Sequence, residues 1–217
     1  MDSDPSSTGH AVEELARDGA TMAEAASVAA AAFHDDPFFI FLSPNERLRR
    51  RGLVIYTRGL LGSLGDRGLV LGVRGAGGRI LGVAAFVKPG SYPLPAGAQV
   101  RQAGAAFWAL LPRPPALVSG SRYLLAIDRA HPHGELWYLA LLVVDPAAQR
   151  SGVGGALQQH VYRDADAEQV PSYLETQKEA NLAYYRRFGY ELVQELRPVR
   201  RGPPLWTMRR EPRPPAG

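Results

Sequence analysis

The chain has 217 residues, 46% of them hydrophobic and 21% charged, a balance that excludes disorder throughout and predicts one globular domain with a short tail at most. It contains no cysteine, which excludes a disulfide framework, a zinc ribbon, an iron–sulfur site and a cysteine nucleophile, and agrees with a cytoplasmic location. The 25 basic residues outnumber 21 acidic ones, but from Arg197 onward six arginines face the single acid Glu211, so this end carries +5 of a net +4 and residues 1–196 sum to −1. The body therefore has no basic field for nucleic acid.

Met1 to Pro5 carry acid where a secretory leader carries base, so no leader is expected. Residues 1–15 read as a flexible start. Thr21 with Glu24, and Ser43 with Glu46 behind Pro44, have the spacing of capping boxes and predict helices over 22–33 and 44–63. Between them, His34 to Phe39 reads as a short connection stopped by Pro37, with Phe38, Phe39 and Phe41 as core packing. Arg47, Arg49, Arg50 and Arg51 read as a solvated helix face.

Gly68–Arg74 and Arg79–Val87 are β-rich runs around Gly75-Ala76-Gly77-Gly78, the pattern of an antiparallel hairpin. The proline-interrupted segment 89–133 holds two further helical stretches, 99–111 and 116–127. Leu136–Val144 is apolar without alternation, reads as a strand buried on both faces, and with nine residues is too short for the ~20 that a membrane helix needs. A helix over 153–168, a strand over 171–176, a helix over 179–187 and strands over 190–196 and 204–210 complete an α/β protein with a mixed central β-sheet flanked by helices. The domain is expected to span 16–210, with 211–217 as a flexible tail.

The segment from Val144 to Leu157 runs from a strand through a loop into a helix, a junction that binds anions through free N–H groups and the positive end of the helix dipole. Each glycine at such a helix start costs about 0.5–1 kcal/mol relative to alanine, so Gly152, Gly154 and Gly155 ask for a compensating gain. A P-loop needs a lysine that is not nearby, and a dinucleotide fingerprint needs glycine or alanine where Leu157 stands. His131 and His133 flank a proline without a carboxylate pattern, so no metal is expected.

Gln149-x-x-Gly152-x-Gly154 after a strand fits the pyrophosphate loop of the GNAT acetyltransferases. With Trp137-Tyr138-Leu139, Pro146, Tyr173-Leu174-Glu175-Thr176, Asn181-x-x-x-Tyr185-x-x-x-Gly189-Tyr190 and Gly202-Pro203-Pro204-x-Trp206-x-Met208, residues 134–210 resemble that superfamily, and within it the puromycin N-acetyltransferase-like group. One departure is Val143, where many relatives place glycine.

The resemblance implies the GNAT fold and acetyl-coenzyme A as co-substrate, with direct transfer to a primary amine of a small molecule, an antibiotic or a metabolite. It implies that Leu142, Val143 and Val144 pair with the pantetheine arm. Gln149, Arg150, Ser151, Gly152, Val153, Gly154 and Gly155 would hold the pyrophosphate. Asn181 and Tyr185 share one helix face toward the cofactor, Asn181 contacting the pantetheine arm and Tyr185 protonating the departing thiolate. Tyr184 reads as core packing. An alkyl amine with a pKa of about 10 needs a base at neutral pH, and Glu175 and Glu135 are the candidates.

Two other readings share the donor blocks: a catalytically silent module that senses coenzyme A or binds a partner, and a transferase acting on protein amino groups. The expected partner is a small-molecule amine, with neither nucleic acid nor membrane, in a bacterial protein that is a monomer or homodimer. The acceptor pocket is expected from the first two helices, their Phe-rich connection and segment 89–133.

Overall fold

The computed structural model describes residues 9–214. Residues 1–8 and 215–217, half of the predicted flexible ends, lie outside them. Seven strands form one sheet: β1 (Val12–Glu14), β2 (Gly68–Arg74), β3 (Ile80–Val87), β4 (Trp137–Val144), β5 (Ser172–Thr176), β6 (Tyr190–Leu196) and β7 (Leu205–Arg210), in the order β1-β2-β3-β4-β5-β7-β6. Only β4 and β5 run parallel; every other pair is antiparallel. The predicted hairpin and the late strands fall within one or two residues of their expected bounds. β1 lies inside the segment read as flexible, because three residues of pairing with Val73 to Leu71 give too little sequence signal to see.

The helices are α1 (Gly19–Ala32), α2 (Pro37–Leu42), α3 (Glu46–Leu64), α4 (Ala96–Leu110), α5 (Pro114–Ala130), α6 (Val153–Ala167) and α7 (Ala180–Arg186). Both expected capping boxes are replaced by closer caps. Asp18 accepts from the N–H groups of Ala20 and Thr21 at 2.9 Å, while Glu24 bonds instead to the Ile80 N–H of β3 at 2.9 Å. Asn45 caps α3 through Leu48 N–H, and Ser43 closes α2, the helix that stands where a connection was expected. In each case an Asp or Asn nearer the helix start supplies the acceptor.

Two cores cover the two faces of the sheet. On one, Leu71, Phe86, Leu139 and Leu174 pack against Val153, Leu157 and Val161 of α6. On the other, Val70, Val83, Ala85, Leu141 and Val143 pack against Ala25 and Val28 of α1 and Leu60, Leu61 and Leu64 of α3. This double coverage is why β4 reads as an unbroken apolar run.

The arginine cluster on α3 is not uniformly solvated. Arg47, Arg50 and Arg51 are exposed, but Arg49 is 4% exposed and donates to the carbonyls of His34, Ser43 and Pro44, tying the α1–α2–α3 corner together. At the other end, Arg210 of β7 is 3% exposed, forks onto both Asp166 oxygens at 2.8 Å and donates to the Phe188 carbonyl. Arg213 is tied there too, its N–H donating to Asp166 and its carbonyl accepting from Gln169, so the tail is anchored at least this far.

Burial works to raise the Asp166 carboxyl, but the bonds from Arg210 and Arg213 outweigh it and hold the group below the usual carboxylate range. Asp166→Ala strands a buried guanidinium, so it should cost about 2–4 kcal/mol of unfolding free energy, measured by urea denaturation at neutral pH; a loss below 0.5 kcal/mol, an order-of-magnitude threshold typical of ordinary surface changes, would contradict this account.

Candidate active site

Pairing between the parallel strands stops early. Trp137, Tyr138 and Leu139 match Ser172, Tyr173 and Leu174, and beyond these residues the two strands no longer pair with each other. At the same place β4 carries a bulge: Ala85 pairs with Leu141 and Phe86 with Leu139, leaving Ala140 without a partner. A bulge bends its strand and shifts the alternation of side chains. Leu139 and Leu142 thus face the α6 core, while Ala140 and Leu141 face the other.

The fork exposes backbone. Asp145 N–H donates to the Leu81 carbonyl, so in the alternating antiparallel ladder Leu141 and Val143 turn their peptide groups to β3. The peptide groups of Leu142 and Val144 therefore point into the gap toward β5. Val143 differs from its two neighbours: its backbone is spent on Val83, and its side chain is buried.

Two cavities meet at this fork. One, of about 1470 Å³, runs along Val144, Gln149, Arg150, Gly152, Gly154 and Gly155, and is rimmed by Lys178, Arg163, Arg187 and Arg213. The other, of about 580 Å³, lies between the sheet and helices α2 to α5. Phe33, Asp36, Leu142, Asn181 and Tyr185 line both.

The larger cavity ends on the start of α6. Asp145 caps a short turn over Pro146–Ala148 through Ala147 N–H, Arg150 has a positive φ of 64°, and Gly152 caps α6 at φ 93°. That conformation strains any residue with a Cβ, which accounts for Gly152. The first-turn N–H groups of Val153, Gly154 and Gly155 have no carbonyl one turn back, and no acid stands in that turn. Val153 contributes backbone only, since its side chain is in the core.

Gly154 has a second reason to be glycine. A Cβ there would stand 2.8 Å from the Tyr184 hydroxyl, which accepts from Gln158 at 2.7 Å. Tyr184, expected as core, is therefore also a wall of this cavity.

Tyr185 is 8% exposed and packs against Tyr184 and Tyr190. Burial raises its phenol above the ordinary tyrosine range, so the hydroxyl keeps its proton at neutral pH. Asn181, one turn earlier, donates to the Thr176 hydroxyl at 3.0 Å and so is held to the end of β5.

The smaller cavity is aromatic and apolar, with Phe38, Phe39, Tyr56, Tyr123 and Tyr138 among its walls. Phe38 and Phe39 are thus cavity walls, because α2 turns them inward against Tyr123 and Phe33. Phe41 packs on the Tyr123 ring, as expected of packing. Among the described residues only two carboxylates line this cavity, Asp36 and Glu175. Asp36 spends Oδ1 on the α2 cap and is raised by burial.

Glu175, on β5 just past the last residue paired with β4, has a side chain 4% exposed. Burial pushes its carboxyl up to about 7, with the neighbouring Tyr138 and Tyr173 hydroxyls acting the other way. Glu135 does not join the site. It is exposed before the start of β4, outside both cavities and roughly 16 Å along the strand from the bulge at 3.3 Å per residue. Sequence proximity to the strand placed it at the wrong end.

His131 and His133 form no metal centre with a third ligand among the described residues. None of the described helices is long and apolar enough to cross a membrane.

Residues 118–192 match the family model described as Acetyltransferase (GNAT) domain. The structure of the chain is similar to that of histone acetyltransferase HPA2 and related acetyltransferase from Corynebacterium glutamicum ATCC 13032, with TM-score 0.66, 22% identity and coverage of 96% of this chain and 99% of that one. It is also similar to a Drosophila melanogaster polyamine N acetyltransferase that forms N acetylagmatine (TM-score 0.55, 14% identity, 93% and 98% coverage). A third is a phosphinothricin acetyltransferase from Sinorhizobium meliloti, solved with AcCoA (TM-score 0.52, 11% identity, 93% and 88% coverage).

The buried carboxyl can be tested without any assay of activity. A carboxyl raised from 4.5 to about 7 on folding adds stability below the lower value, and that stability is lost as pH rises through the upper one. Between pH 5 and 8, Glu175→Gln should therefore lose less stability than wild type, read from urea midpoints; parallel curves would refute the raised carboxyl.

Proposed function

We propose that the protein transfers an acetyl group from acetyl-coenzyme A directly to the primary amine of a small molecule. The observation that carries this reading is the meeting of two unlike cavities at Tyr185, Asn181 and Leu142, with Glu175 on the apolar side. The residues of the larger cavity fit the donor: free N–H groups from 153 to 155 beside Gly152 suit a pyrophosphate, and the basic rim suits its charge. Acetyl-coenzyme A, when bound, supplies an activated acetyl thioester.

The gap-facing peptide groups of Leu142 and Val144 take the place of a strand partner and align the pantetheine arm. A gap-facing N–H is also placed to stabilise negative charge on a carbonyl oxygen. Asn181, fixed by Thr176, orients the arm from the other side. Glu175 takes the proton of the acceptor ammonium, and its raised carboxyl is matched to proton transfer near neutral pH. Tyr185, holding its proton through burial, donates it to the departing sulfur.

An aromatic cavity with few carboxylates favours a small molecule over a basic protein tail, and a single apolar-bodied amine over a polycation. The likeness to the puromycin N-acetyltransferase-like group belongs to the same proposal and rests on the sequence blocks of 134–210.

Thiol release from acetyl-coenzyme A, followed against a panel of amines, tests this directly. Arylalkylamines should be acetylated with kcat/KM at least tenfold above agmatine or spermidine, a ratio within the order of ~10–200-fold that apolar pockets deliver. Binding of acetyl-coenzyme A without release from any amine would overturn the transferase in favour of the sensing module. Tyr185→Phe should lower kcat by about 10²–10⁴-fold while leaving acetyl-coenzyme A affinity within threefold, checked by calorimetry; undiminished turnover would remove the acid role.

A further inference from the structure

Beside Glu175, outside the residues that line the apolar cavity, lies His131, which closes α5 by donating its N–H to the Ile127 carbonyl. Its side chain is 4% exposed, and Nδ1 stands 4.0 Å from Glu175 Oε1. Neither ring nitrogen has a hydrogen-bond partner among the described residues, and neither does Oε1. Three unpaired buried polar atoms in one cluster are unusual, because such groups normally find partners.

Packing alone does not explain an imidazole here. Tyr92 stacks on the ring at 3.7 Å, and Tyr138 and Tyr173 meet it edge-on at 4.9 and 5.1 Å. A phenyl ring would make the same stack and leave no nitrogen unpaired. What the imidazole adds is a site for a proton, one small movement from the carboxylate that the proposed reaction uses as base. Closing 4.0 Å to about 2.8 Å joins them, a tightening of the kind that working complexes show.

We propose that His131 is a positioning residue for Glu175, its neutral Nδ1 accepting a hydrogen bond from the carboxyl once that group has taken a proton from the acceptor; this rests on the acetyltransferase reading. An N–H bond of the acceptor ammonium breaks and an O–H bond forms on Glu175, which frees the amine to attack. The protonated carboxyl then donates to the Nδ1 of His131 and is held in that orientation. The amine gives up its second proton as the C–S bond breaks, and that proton replaces the one that Tyr185 donates to sulfur. The Glu175 proton leaves to water through the cavity when product departs.

The groups around the ring set the balance. Burial is the largest influence and holds the free imidazole down to about 4, Asp128 of α5 favours the charged form, and His133 of the following loop opposes it. Asp128 is itself held by the Tyr92 hydroxyl at 3.1 Å. From β4, β5 and α3, the Tyr138, Tyr173 and Tyr56 phenols face the carboxyl, and burial raises each above the ordinary range. An acceptor that bonds only the protonated carboxyl favours that form, so the imidazole raises the apparent pKa of Glu175.

The test is the pH dependence of kcat/KM for the best amine, in wild type, His131→Phe and His131→Leu, two replacements that keep the bulk and remove the acceptor. Both variants should move the acidic limb to lower pH by about 0.3 unit or more and lower kcat about tenfold, with KM for acetyl-coenzyme A within twofold of wild type. An acidic limb that stays within that margin in both variants overturns the proposal and leaves His131 a packing residue.

Imidazole ¹⁵N shifts across the same pH range give a second reading in wild type and Glu175→Gln, whether or not the histidine variants fold. The Nδ1 shift of His131 should follow the titration of the carboxyl in wild type and lose that step in Glu175→Gln, and identical titrations would overturn the pair. If wild type acetylates no amine at all, the acetyltransferase reading falls, and the imidazole titration still decides the coupling.

Discussion

The early end of pairing between β4 and β5 is the constraint on which the rest of the site depends. Two parallel strands that matched along their whole length would satisfy each other's peptide groups and close the sheet. Here the ladder stops at Leu139 and Leu174, at the bulge that leaves Ala140 without a partner on β3. The sheet stays intact behind the fork because β3 holds β4 and β7 holds β5. A stable sheet with an internal gap is a rare object in water, since unpaired peptide groups are costly to bury. Their exposure in a cavity relieves that cost and creates a template for an extended ligand.

From this gap follow the positions of the chemical groups. Glu175 is the first residue of β5 beyond its last pairing with β4, and Leu142 and Val144 are the gap-facing residues of β4. The α7 helix, tied to β5 through Asn181 and Thr176, lays Tyr185 across the mouth where both cavities meet. The two faces of the sheet then divide the work: the α6 side offers backbone N–H and positive charge, and the α3–α5 side offers aromatic surface with a buried carboxyl. Burial acts in the same sense on both titrating groups, favouring their protonated forms, but with unlike results. It brings a carboxyl into the neutral range and pushes a phenol beyond it.

Much of this was legible in the sequence wherever the signal was local. The hairpin of β2 and β3, the strand–loop–helix around Gly152, and the Asn181–Tyr185 spacing all depend on residues within one turn or one loop of each other. The errors share a cause of the opposite kind. β1 needs a partner sixty residues away to exist, Glu24 left its capping box for a peptide of β3, and Arg49 left a solvated face for three carbonyls at a corner. Phe38 and Phe39 were aromatic residues whose duty, core or cavity wall, depended on helices far along the chain, as the contact of Phe38 with Tyr123 shows.

The sequence by itself determined the types of most elements and the glycine start of α6, because periodicity, capping and backbone freedom are properties of neighbours in the chain. Only the tertiary structure decided where the strands part, that Glu175 rather than Glu135 faces the site, and that His131 lies against that carboxylate. Burial and partnership are set by contacts between distant segments, and they govern both the proton affinity of a carboxyl and the purpose of an aromatic ring. Gly154 belongs to both accounts: its place in the motif is local, but the tyrosine that forbids a side chain there comes from a helix thirty residues later.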